Sequence, residues 1–229
     1  MIRRLVLSAL FLAAIIASPL VSPARADNPP GHDQQILVNK AARVVAPMRS
    51  DPNFTYSGKL LAQAKAVLIV PELSKGGLIV GGQGGGAVLV LKRPDGSWSD
   101  PAFYSLGGGT LGLQAGFQTS QTVFFIMTDR ARDQWINNQV KFGGQDGEGV
   151  FVVGQENKSS ITQNNADVVA WSHATGAYGG INVEGTSISF DGDATAKYYG
   201  QPLTADQVFS GAWHNPSADR LRKALTSGK

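Results

Sequence analysis

The chain has 229 residues, 42% of them hydrophobic, with 20 Lys and Arg against 17 Asp and Glu and no cysteine. That length is ample for one packed domain, and the lack of thiols excludes disulfides, a thiol nucleophile and a cysteine-linked lipid anchor. The formal charge of +3 comes from arginines in the first 26 residues, so it gives no reason to expect a nucleic-acid partner.

Those 26 residues, MIRRLVLSALFLAAIIASPLVSPARA, follow the pattern of an export signal. Arg3 and Arg4 precede an apolar run from Leu5 to Ala17, and Ala24-Arg25-Ala26 fits a small-x-small cleavage site. The run is shorter than the roughly 20 residues of a membrane span. Cleavage after Ala26 leaves 17 basic and 17 acidic residues. The expectation is an exported protein, periplasmic or secreted, with a net charge of zero.

Residues 27–32, DNPPGH, read as a linker, and 33–229 as a single domain. From Asp33 to Arg49 the residues Ile36, Leu37, Ala41, Val44, Val45 and Met48 recur at helical spacing, a stripe of the kind that faces a core. A short second helix is expected over Ser57–Ala66.

After Lys65 the pattern becomes β. AVLIV is expected to end at Pro71, GGLIVGG and GGAVLVLK follow as further strands, and RPDGS is a turn. WSDPAFYSL, TLGLQAGFQ and QTVFFIMT continue the sheet. In the second of these, bare glycines on one side imply a close backbone approach or a bend. AVLVL and QTVFFIMT are apolar on both faces, which predicts central strands covered on both sides.

DRARDQWINN reads as one helix with Asp129 as N-cap. The polar stretch Gly143–Asn165 reads as an exposed excursion. DVVAWSHA, GAYGGINVEG and SISFDG are expected strands, and TADQVFSG and PSADRLRKALTSG expected helices. The fold class is α+β, a largely antiparallel sheet or partial barrel with helices at both ends of the chain.

Chemistry-bearing patterns are scarce. Gly82-Gln83-Gly84-Gly85-Gly86-Ala87 has the letters of a dinucleotide fingerprint, but β-type residues follow where a helix should begin, so no nucleotide is expected. His32, His173 and His214 lie far apart with no second ligand at a metal spacing. His173, beside Trp171, reads as a packed side chain. Asp191-Gly192-Asp193 reads as a surface turn rather than a calcium loop, and Asp146 and Glu148 as solvated turn acids. There is no nucleophile elbow. The expectation is a protein without enzymatic activity, cofactor or metal.

Charge is unevenly distributed. Ile36–Arg93 holds eight basic and two acidic residues, Pro94–Asp219 holds five and thirteen, and the last ten residues carry +4. Such asymmetry points to one end facing an anionic surface.

The ordered motifs from Ala64 to Gly211 resemble the SYLF domain family. Lys65, Pro71, Lys75, Gly76, Gly77, Gly81, Gly82, Gly84 and Gly86 fit its first two motifs. Asp95, Gly96, Ser97, Trp98, Ser99, Pro101, Gly112, Gln114 and Gly116 fit the next two. GAYGGINVEG and KYYGQPLTADQVFSG are similar to its second half.

Eukaryotic members bind phosphoinositides and some bundle actin. For an exported chain the resemblance implies affinity for anionic phospholipid head groups, through an N-terminal helix and neighbouring cations. The expected lipid-facing set is Lys40, Arg43, Lys59, Lys65, Lys75, Lys92 and Arg93, on a peripherally membrane-associated protein. The alternative is a structural or host-interaction protein that binds a protein partner through its acidic 94–219 region.

Overall fold

The computed structural model describes residues 28–77, 80–111, 116–137, 140, 150–152, 167–176 and 186–226. Residues 1–27, where an export signal, its cleavage site and the first residue of a linker are expected, lie outside them.

Helix α1 (His32–Ser50) buries Val38, Ala41, Ala42, Val44, Val45 and Met48. The expected stripe therefore packs on the protein, but rotated: Ile36 is 41% exposed and Leu37 half-buried, while Val38 and Ala42 turn inward. Pro47 lies in the last turn on the exposed side, where its missing N–H forfeits one helical bond, to the Arg43 carbonyl. Helix α2 (Ser57–Gln63) follows the DPNF turn and buries Leu60 and Leu61.

Strands β1 (Ala66–Gly77), β2 (Val80–Leu91), β3 (Ala102–Leu111), β4 (Gly116–Ile126), β5 (Val150–Val152), β6 (Val168–Gly176) and β7 (Thr186–Phe190) form one sheet in the order β5-β6-β4-β1-β2-β3-β7. Every pairing is antiparallel except the short β5–β6 edge. The sheet is open, with β5 and β7 at its edges.

Strand β1 does not stop at Pro71. Its register shifts between Val70 and Leu73 against β4, and between Ile69 and Ser74 against β2. Proline has no N–H for the ladder, so the strand bulges there and resumes. Gly85 of β2 accommodates the bulge: a Cβ at this position would lie 2.4 Å from the Glu72 carbonyl oxygen. Gly84 and Gly86 are closely approached too, by the Leu106 carbonyl and the Leu37 side chain, and β2 runs on to Leu91 where a phosphate-binding fold would begin a helix.

The sheet has two apolar faces. Val67, Ile69, Val88, Val90, Phe103, Val123, Phe125 and Trp171 meet α1 and α2. Leu68, Val70, Leu89, Tyr104, Phe124 and Ile126 face the opposite way and meet Trp135 and Val208. AVLVL and TVFFI thus sit at the centre and are covered on both sides, as their pattern predicts.

The second face is covered by α3 (Asp129–Ile136) and α5 (Ala205–Phe209), which bring Ala131, Trp135 and Val208. The N-cap of α3 is Thr128, one residue before the expected Asp129; its side chain accepts from the Ala131 N–H. Asp191-Gly192-Asp193 is not a turn. Asp191 caps α4 (Gly192–Tyr199), accepting from the Ala194 N–H, and Tyr198 joins the first face. Helix α6 (Asp219–Thr226), after a 3-10 turn at Pro216–Ala218, adds Leu221 and Leu225 to that same face.

Three expectations fall largely outside the described residues. Of TLGLQAGFQ, residues 112–115 are not described and its two ends belong to β3 and β4. Of GAYGGINVEG, only Gly176 is described. Of Gly143–Asn165, Val150–Val152 is a strand rather than excursion, and the rest is not described.

Candidate functional site: a basic helical layer

Helices α1, α2, α4 and α6 share one side of the sheet, and their charges are lopsided. They hold Lys40, Arg43, Arg49, Lys59, Lys197, Arg220, Arg222 and Lys223 against Asp33, Asp193 and Asp219. On α1 the outward ridge is Ile36, Lys40, Arg43 and Pro47, at intervals of four, three and four residues; on α2 it is Tyr56, Lys59 and Gln63. Among the described residues, no ion pair holds Arg43, Lys59 or Arg220.

The seven cations expected from the sequence do not form one surface. Lys40 and Arg43 are exposed on α1, with Lys40 Nζ 2.9 Å from Glu72 Oε2 at the β1 bulge. Lys59 is exposed on α2. Lys65, at the start of β1, has Nζ 3.6 Å from Asp129 Oδ2 of α3. Lys75 pairs in register with Gln83 and Gln118 near the far end of β1, about 33 Å from Lys65 at strand rise.

Lys92 and Arg93 do internal work. Lys92 Nζ donates to the Leu61 and Ala62 carbonyls at 2.6 and 3.1 Å and lies 5.0 Å from the centre of the Trp98 ring. It thereby satisfies the C-terminal carbonyls of α2 with a charge of the sign the helix end favours. Arg93 reaches the Trp98 carbonyl at 3.5 Å and Asp100 Oδ2 at 3.9 Å.

Asp100 is the group that sequence reading missed. It is fully buried. Its Oδ1 accepts from the Asn215 N–H at 3.0 Å and lies 2.6 Å from Arg222 Nη1, while His214 Nδ1 is 3.5 Å from Oδ2. Burial by itself lowers the Arg222 pKa, but the bond to Asp219 and the charge of Asp100 outweigh it and hold the guanidinium above its ordinary value. Burial pushes the Tyr198 and Tyr199 hydroxyls up as well, with the Asp100 charge adding to it. Tyr199 Oη donates to the Pro101 carbonyl at 2.9 Å.

This cluster fastens α6 to the layer. Arg49 of α1 donates to the Leu225 carbonyl at 2.7 Å, and Gln35 to the Ser217 carbonyl at 3.1 Å. Arg220 and Lys223 are consequently exposed beside α1. The only sequence signal for them was the +4 of the last ten residues, which carried no indication of where they fold.

Other candidates carry less. His173 is exposed, not packed, with its ring stacked on Trp171. A cleft of about 280 Å³ opens beside α1, lined by Asp33, Ile36, Leu37, Lys40, Gly86 and Asp191 among others. Among the described residues no cluster of His, Asp or Glu could hold a metal ion, and no helix is long and apolar enough to cross a membrane.

Residues 107–228 match the family model Ysc84, described as Las17-binding protein actin regulator. The chain belongs to the Ysc84, or SYLF, family. It is 27% identical over 212 residues to LAS seventeen-binding protein 3 of Saccharomyces cerevisiae, covering 88% of this chain and 46% of that protein. It is 24% identical over 209 residues to the human SH3 domain-containing YSC84-like protein 1, covering 88% and 61%.

The yeast Protein YSC84 is 28% identical over 173 residues, covering 73% and 37%. The chain therefore spans about half the length of these curated SYLF relatives, of which LAS seventeen-binding protein 3 is named as a binding protein. No solved structure matches.

Proposed function

We propose that this SYLF domain is a non-enzymatic, exported module that associates reversibly with anionic phospholipid head groups through its α1–α2–α6 layer. The observation that carries the reading is the charge of that layer, with Arg43, Lys59 and Arg220 exposed and outside any described ion pair.

A Lys or Arg near an anionic membrane contributes about 1 kcal/mol. Arg43, Lys59 and Arg220 together contribute about 3 kcal/mol, a weak, millimolar, salt-sensitive association. Lys65, Lys92 and Arg93 stabilise the fold in this reading and leave lipid contact to the helices.

Co-sedimentation with vesicles of phosphatidylcholine containing increasing phosphatidylglycerol tests it. Binding is expected to rise with the anionic fraction and fall with added salt. Equal pelleting with pure phosphatidylcholine, or no pelleting, overturns it.

A second reading, binding of a protein partner, is favoured by the names of the SYLF relatives. In that case the purified chain captures a protein, and vesicles do not compete for it.

A further inference from the structure

The cleft of about 280 Å³ beside α1 lies between that helix, the start of α4 and strands β2 and β3. Ile36 and Leu37 form one apolar wall and Ala194 the other. Gly86 leaves the floor bare, and a Cβ added there would lie 3.1 Å from the Leu37 side chain. Small-molecule sites begin at roughly 300 Å³, so the cleft has room for one long side chain or an equally small ligand.

Its rim is acidic, unlike the rest of the helical layer. Lys40 is the one cation among the lining residues, and its Nζ is 2.9 Å from Glu72 Oε2, so its charge is already matched. Asp33 and Asp191 line the same cleft. Asp33 accepts from the Asn28 side-chain amide at 3.0 Å, and Asp191 from the Ala194 N–H and the Ser105 hydroxyl, each at 2.9 Å. These bonds orient the carboxylates and bring no positive charge. Asp100, Asp129, Asp167 and Asp219 each face an arginine, whereas among the described residues no ion pair holds Asp33 or Asp191.

We infer that this cleft binds an ammonium or guanidinium group carried on a short apolar stem. The stem lies against Leu37, Ala194 and the bare Gly86, and Asp33 and Asp191 supply the counter-charge at the rim. An uncharged ligand would leave both carboxylates unmatched, and an anion would be repelled by them. The chemistry is that of a lysine or arginine side chain of a partner polypeptide, and equally of a free alkylamine. This site goes beyond the lipid reading and does not rest on it.

Titration of the isotopically labelled protein, without vesicles, tests it by amide chemical shifts. The probes are n-pentylamine, n-pentanol and the peptide acetyl-Gly-Gly-Lys-Gly-Gly-amide. Pentylamine is expected to shift the Leu37, Gly86 and Ala194 signals saturably, with a Kd on the order of 1 mM. Pentanol is expected to bind about tenfold more weakly.

Asparagine caps a helix about as well as aspartate, so Asp33→Asn with Asp191→Asn keeps α4 and is expected to reduce pentylamine to the level of pentanol. Asp206→Asn, at an exposed site on α5, is expected to change nothing. Ala194→Leu fills the cleft and is expected to abolish binding of both probes, with the remaining spectrum that of the folded protein. Equal affinity for amine and alcohol, or undiminished amine binding by the double variant, would overturn the charge recognition. Shifts at Asp129 and Asp133 in place of the cleft would overturn the site. Peptide binding at least as tight as that of pentylamine assigns the site to a polypeptide side chain; pentylamine binding without the peptide assigns it to a free amine.

Discussion

The two sides of the sheet are alike inside and different outside. Each buries an apolar layer of strand side chains, and each is roofed by helices. The roof made of α1, α2, α4 and α6 holds eight basic and three acidic residues, whereas α3 and α5 hold Arg130 and Arg132 against Asp129, Asp133 and Asp206. The acids of α3 also take up Lys65 and are bridged by Arg132. Strand sequences serve both cores at once through their alternation, so the helices are free to give each side its own surface chemistry.

The hardest way to break the difference is through its fastening. Asp100→Asn removes the charge that faces Arg222 and Arg93, and loss of one partner from a buried pair costs about 3–5 kcal/mol. Urea melts are expected to show that loss, whereas Asp133→Asn on the other roof, an exposed site, is expected to change stability by less than about 0.5 kcal/mol.

Surface chemistry is tested next. The triple reversal Arg43→Glu, Lys59→Glu, Arg220→Glu is expected to weaken anionic-vesicle binding at least about a hundredfold with melting unchanged. Asp206→Lys, which adds a cation to α5, is expected to leave binding where it was.

Two glycines, one facing each side, also differ in the room around them. Gly85 points toward the α3–α5 side and is blocked by the Glu72 carbonyl, whereas Gly107 points toward the α1 side with nothing within 4 Å of an added Cβ. Gly85→Ala is expected to cost about 1–3 kcal/mol, and Gly107→Ala to stay within about 0.5 kcal/mol. Thermal melts of the two variants decide the matter.

The smallest effect is a pH dependence at the edge of the basic roof. The hydrogen bond from Arg222 holds the Asp219 carboxyl below the usual carboxylate range. A depressed folded pKa means that the stabilisation is present above about pH 4 and is lost as pH falls through the folded value. Asp219→Asn is expected to flatten that acid limb slightly in melts between neutral pH and pH 3.

Much of the fold was legible because it rests on local patterns. Doubly apolar AVLVL and TVFFI announced central strands, and Leu60 and Leu61 announced the buried side of α2. Pro71 has the pattern of a strand end, but a bulge and a glycine across the ladder let the strand continue. Helix α4 was hidden because GDATAKYY has too few apolar residues for a visible period, and its start, Asp191-Gly192-Asp193, has the composition of a turn.

The basic layer was only half legible. The excess in Ile36–Arg93 was visible, but sequence cannot tell Lys59, which meets solvent, from Lys92, whose ammonium closes a helix end. Nor could it show that α6, which carries Arg220 and Lys223, packs along α1, since that placement involves Asp100, a residue with no local pattern to mark its burial.

The bonds that tie α6 to α1 span nearly the whole domain: Gln35 reaches Ser217 across 182 positions, and Arg49 reaches Leu225 across 176. During synthesis α1 is made first and waits for this partner. At ribosomal rates of 5–20 residues per second, the delay is roughly 10–35 s, far longer than a helix or a hairpin needs to form. Until α6 arrives, Asp100 lacks Arg222 and part of the apolar side of α1 lies uncovered. Docking of α6 is thus the last of these contacts to become possible, and it completes the basic face by adding Arg220 and Lys223.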